Sequence, residues 1–188
     1  MRDLTRVALL LLTAACASGG AASTPATAGT VQQSITVGGT GSTAAITMTH
    51  DAETQSHLLT SSPARVWAVL PAVFDSLGIP PATVDPASHT IGNTAFKAHG
   101  RLKGVPLSRY IDCGNSTQIG PNADSYDIMM SLVAQVRPAE GGASTLVISL
   151  EAAGKPATFS QDYSRCPTKG ALETRLTEAV QRLLTAQR

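Results

Sequence analysis

Apolar residues recur along this chain with two different periods, and the switches between them outline its elements. From Pro63 to Leu77, the residues Val66, Val69, Leu70, Val73, Phe74 and Leu77 fall at i, i+3, i+4, i+7, i+8 and i+11, which places them on one face of a helix. Ser62 is a good N-cap, Pro63 suits the first helical position, and Gly78 ahead of Pro80-Pro81 ends the segment. Pro71 lies inside it without an N–H to donate, so a kink is expected there. Trp67 flanks the apolar face as a boundary residue of the core. A second helical period runs through Leu172, Leu176, Ala179, Val180, Leu183 and Leu184, with Thr168 or Gly170 as cap and Glu173 well placed in the first turn.

Between the helices the period drops to two. Tyr126, Ile128, Met130, Leu132, Ala134 and Val136 alternate with Asp127, Met129, Ser131, Val133, Gln135 and Arg137, a long strand with one apolar face. Gly141-Gly142 turns the chain, and Leu146, Ile148 and Leu150 lead back as the partner of an antiparallel hairpin. Weaker alternation marks strands at 31–37, 44–49, 55–59, 83–84 and 90–96, with 157–163 as a further neighbour. Residues 97–106 read as a basic, glycine-punctuated mobile loop, 107–113 as a strand and 114–123 as a polar loop. Strands and helices in this order imply an α+β fold, an antiparallel sheet with both amphipathic helices packed on one face.

Ahead of these elements the pattern changes character. Arg2 and Arg6 precede the apolar run Val7–Leu12, and small residues lead to Cys16, a profile too short to span a bilayer and shaped like a cleavable export signal. Leu12-Thr13-Ala14-Ala15-Cys16 resembles the lipobox of bacterial lipoprotein precursors, Thr13 standing where Leu, Val or Ile is commoner. The resemblance implies cleavage before Cys16 and acylation of that cysteine, hence a membrane partner reached through a lipid anchor. Ala17 in place of Asp implies the outer rather than the inner membrane. Two or three acyl chains hold stably because each buried methylene contributes about 0.8 kcal/mol. Residues 17–30 contain no large apolar side chain and read as a flexible tether with an end-to-end distance of about 20 Å. The expected organisation is a signal peptide over 1–15, anchor and tether over 16–30, and one α+β domain over 31–188.

Cys113 and Cys166 remain, and in an oxidising compartment they are expected to pair. Neither belongs to a Cys-x-x-Cys motif, and no histidine stands at metal-ligand spacing from either. Cleavage before Cys16 removes Arg2, Asp3 and Arg6 and takes the formal charge from +1 to zero, which argues against a nucleic-acid partner. Gly-x-Ser-x-Gly, His-Glu-x-x-His and a phosphate-cradling loop ahead of a helix are all missing. Neither a catalytic residue nor a metal or organic cofactor is assigned. His50-Asp51 reads as a solvated pair. Asp112, Asp124 and Asp127 read as solvated acids rather than an acid/base pair or, with Asn122, a calcium loop.

The candidate binding residues are basic. Lys97, His99, Arg101 and Lys103 alternate, so an extended backbone would line them on one face, and Arg109 follows beside Tyr110, a candidate stacking surface. Lipopolysaccharide, peptidoglycan stem peptides or an acidic envelope protein would suit such a row, whereas edge-strand protection is its plain structural use. The order of helix, β-rich stretch and helix is similar to the helix-grip-type domains of the outer-membrane assembly lipoprotein BamC. That likeness implies an accessory binding module without catalysis, although the cysteine pair departs from the pattern. The alternatives are a small-ligand carrier with a pocket between helix and sheet, and a hydrolase with a site assembled from distant residues.

Overall fold

The computed structural model describes residues 33–39, 42–48, 53–158 and 160–187. Cys16, the tether and His50-Asp51 lie outside them. Two strands, β1 (Gln33–Gly39) and β2 (Ser42–Met48), pair antiparallel as a sheet of their own. β3 (Glu53–Leu59) then enters the main sheet, and α1 (Pro63–Leu77) follows. Next come β4 (Thr83–Asp85), β5 (Thr90–His99), β6 (Arg101–Leu102) and β7 (Val105–Pro106). A small hairpin, β8 (Asn115–Ser116) and β9 (Gly120–Pro121), precedes the long strands β10 (Tyr126–Pro138) and β11 (Ser144–Pro156). β12 (Ser164–Arg165) and α2 (Ala171–Ala186) complete the chain.

The fold is α+β. Its main sheet runs β12-β11-β10-β5-β6-β7, with β3 on the same side of β11 as β12 and β4 beside β5, all antiparallel. The even residues Ile128 to Val136 and Leu146 to Ala152 share one core with the apolar faces of α1 and α2, so both helices cover the same face of the sheet. Val66, Leu70, Val73 and Phe74 are each 0 % exposed and fill the space under α1.

α1 continues through Pro71, which lies on its exposed side. Ser62 occupies the N-cap with extended backbone but makes no side-chain capping bond. At the other end Gly78 adopts φ +72°, and the N–H groups of Gly78 and Ile79 donate to Asp75 and Phe74, closing the helix as a Schellman motif.

Several expectations for the connecting segments are corrected. Residues 97–106 are not a loop: β5 extends to His99 and two tight reversals follow. Leu107–Arg109 is a turn of 3-10 helix rather than strand, and 114–123 holds the β8–β9 hairpin. The strand expected at 157–163 is displaced to β12, two residues long. A bulge explains why β5 was hard to read. Met130 pairs with Phe96 but Leu132 pairs with Asn93, so β5 carries an extra residue there. Ile91 faces the core before the bulge, and Phe96 and Ala98 after it, which breaks the alternation.

Candidate functional site

The ladder that begins at the disulfide builds a depression lined by four cations. Cys113 and Cys166 are bonded, their Cα atoms 4.5 Å apart. From that bond the two segments run side by side: Asp112 N–H donates to Pro167 O (2.8 Å), Ile111 bridges Thr168, and Lys169 N–H donates to Tyr110 O (2.7 Å). The ladder ends by setting Arg109 and Tyr110 against Lys169 and Gly170 at the start of α2. Gly170 is the N-cap, with φ +73° and no side chain to close the helix end.

An open groove of about 670 Å³ lies there, lined by Arg109, Lys169, Arg175 and Arg182 with Gln55 of β3 on its flank. Glu178 supplies the carboxylate in its wall. Arg109, Lys169 and Arg182 are exposed, and none of the four cations forms an ion pair among the described residues. Two are oriented by neutral acceptors. Lys169 Nζ donates to Ser108 O (2.9 Å), and Arg175 Nη1 donates to the hydroxyl of Tyr110, itself only 3 % exposed. Held this way, the guanidinium and ammonium groups keep donors available for carboxylate or phosphate oxygens.

The basic row read from the sequence is divided among three places. Lys97 and His99 stand on the solvent face of β5, where His99 Nδ1 lies 3.4 Å from Asp127 Oδ1 across to β10. The chain reverses at Gly100 (φ +67°), and Arg101 Nη1 donates to Gly104 O (2.9 Å) inside the next reversal. Lys103 lies over the C-terminal end of α1, its stem so close to Gly78 that an added Cβ there would sit 2.7 Å from Lys103 Cε. Only Arg109 reaches the groove. Tyr110, considered as a stacking surface, is a core residue whose hydroxyl faces outward to Arg175.

The acids are also placed. Asp124 accepts from Ser108 N–H (2.9 Å) and Ser108 Oγ (2.7 Å), Asp112 accepts from Gly114 N–H (2.9 Å), and Asp127 faces His99. No group of three potential metal ligands converges among the described residues. Sequence reasoning passed over Lys169, Arg175 and Arg182. The signal was present, since Arg175, Glu178 and Arg182 fall at i, i+3 and i+7 on the polar face of α2, but nothing in that spacing places Arg109 opposite them. No protein family matches the chain, and no curated protein matches it in sequence.

Proposed function

We propose that this protein is a lipid-anchored envelope module that binds an anionic partner without catalysis. The observation that carries the reading is the groove at the start of α2, where four cations and a single carboxylate meet in a chain whose processed form is neutral. Such local polarisation favours recognition of carboxylate or phosphate oxygens over indiscriminate adhesion. The lipobox-like Leu12–Cys16 supports the anchor, and the helix–sheet–helix order supports an accessory role. A small-ligand carrier would need a cavity between α1 and the sheet, and that space is filled.

Two measurements test the two halves. In a host that processes lipoproteins, Cys16→Ser should move the protein from membrane to soluble fractions and abolish acylation; unchanged fractionation refutes the anchor. For the binding half, the full chain carrying Cys16→Ser is titrated with poly-aspartate, polyphosphate and anionic lipid vesicles. At least one class should bind in a salt-sensitive manner and lose roughly tenfold or more on joint Arg109→Ala and Arg182→Ala substitution. If no class binds, or the double variant binds equally, the reading fails.

A further inference from the structure

The groove does not end at Arg182. Beyond it a second depression of about 590 Å³ runs along α2 past Gln181 and Thr185, and a third of about 320 Å³ joins those residues to Leu58–Ser61. Shared residues join the three into one trough along α2, bordered by Gln55 of β3 at one end and by residues 58–61 at the other, with its middle lined by α2 alone. Gln55 approaches Gly170 at one end, its Nε2 2.9 Å from where a Cβ would sit, while Leu59 and Leu184 border the other end. Strand and helix therefore run in the same direction along it. As whole elements they are of similar length, the seven residues of β3 and the sixteen of α2 each spanning about 24 Å.

β3 is an edge strand. Its described partner is β11, from Leu59↔Ser144 to Glu53↔Leu150, and no described strand lies on its other side. Over residues 55–59, the alternate N–H and C=O groups that do not face β11 point to the side on which no described strand lies, beside the cation-lined wall of α2. Leu58 on this strand is 71 % exposed.

We infer that the trough receives an extended acidic peptide segment, which adds as a further strand on β3 and sets its carboxylates against Arg109, Arg175 and Arg182. This rests on the binding role proposed above and names its partner. Strand addition supplies main-chain affinity without regard to sequence, and the cations select acidic side chains. The charge of the wall repels a basic segment, with Glu178 the exception that disfavours an acid directly opposite it. Sugars and nucleobases call for exposed aromatic faces on which to stack, and the trough's one aromatic ring, Tyr110, is buried.

The test uses the full chain carrying Cys16→Ser and a synthetic peptide alternating Asp with Val. A control peptide of equal charge has Pro at the positions that would pair. The Asp–Val peptide should bind about tenfold more tightly than the proline control, and β3 amides that exchange freely should gain about tenfold protection. Arg109→Glu with Arg182→Glu should weaken it by roughly tenfold or more while the melting temperature stays near that of the parent. Equal binding of the two peptides, or binding with no added protection on β3, overturns strand addition while leaving the anion-binding role standing. Protection of that edge in the free protein overturns it too. Concentration-independent protection would identify the chain's own 33–48 hairpin as the occupant, and concentration-dependent protection a second copy. Vesicle or polyphosphate binding without peptide binding would assign the trough to lipid or phosphate instead.

Discussion

At Gly154 a hydrogen stands where any other residue would place carbon. An added Cβ would lie 2.7 Å from Ile128 Cδ1 and 3.3 Å from both sulfurs of the disulfide. Gly154→Ala should therefore cost about 1–3 kcal/mol, read from urea denaturation, and an unchanged midpoint would show that the bond yields more easily than this packing implies. Asp85 gives a residue-scale prediction in pH. Its carboxylate accepts from Ser88 Oγ (2.6 Å) and Ala87 N–H (2.9 Å), and the Ser88 bond first, then the Ala87 bond, holds its pKa below the usual 3.8. A lowered folded-state pKa stabilises the turn above the unfolded value, and that contribution disappears as pH falls through the folded value. An NMR titration should place the Asp85 midpoint below 3.8, and Ser88→Ala should raise it. Asp-Pro-Ala-Ser at 85–88 is itself a turn signal, because an Asp side chain bonds to the backbone two residues on, as Asp85 does to Ala87 N–H. The groove cations were not legible as a group, because Arg109 and Arg182 become neighbours only through tertiary pairing.

Elements were legible in proportion to how much core they bury. α1, β10, β11 and α2 carry unbroken periodicity and appear where their patterns place them, including the Schellman glycine at 78. β5 carries a bulge and switches parity, and the two-residue strands β6, β7, β8, β9 and β12 are too short to show any period. The disulfide acts at this scale as well. It closes a separation of 53 residues, for which the chain-entropy account gives about 4 kcal/mol. Cys113→Ser with Cys166→Ser should lower unfolding free energy by roughly 2–5 kcal/mol. It should also reduce anionic-ligand affinity more than an equally destabilising change in α1, such as Val73→Ala, because the ladder from Cys113 to Lys169 frames the groove. Equal affinity losses in the two variants would make the bond a general staple only.

For the molecule as a whole, a formal net charge of only +1 conceals an uneven distribution. Four cations, Arg109, Lys169, Arg175 and Arg182, meet with a single carboxylate in the groove along α2, whereas Asp85 stands on the turn between β4 and β5 and Asp127 on the solvent face of the sheet. Binding at the trough should therefore weaken steeply with added salt even though the chain's formal net charge is only +1, and a salt-independent affinity would point to apolar contact instead. Fold class was readable because it follows from periodicity. Which sheet edge stays open and which helix face lies beside it follow from the order β12-β11-β10-β5, which no local pattern encodes. The placement of the Cys113–Cys166 bond has one more consequence. A newly made chain, still carrying two thiols, lacks the covalent tie that frames the recognition trough. Oxidation then fixes the frame, so the reduced and oxidised forms of the chain should differ in how firmly the two walls of that end are held.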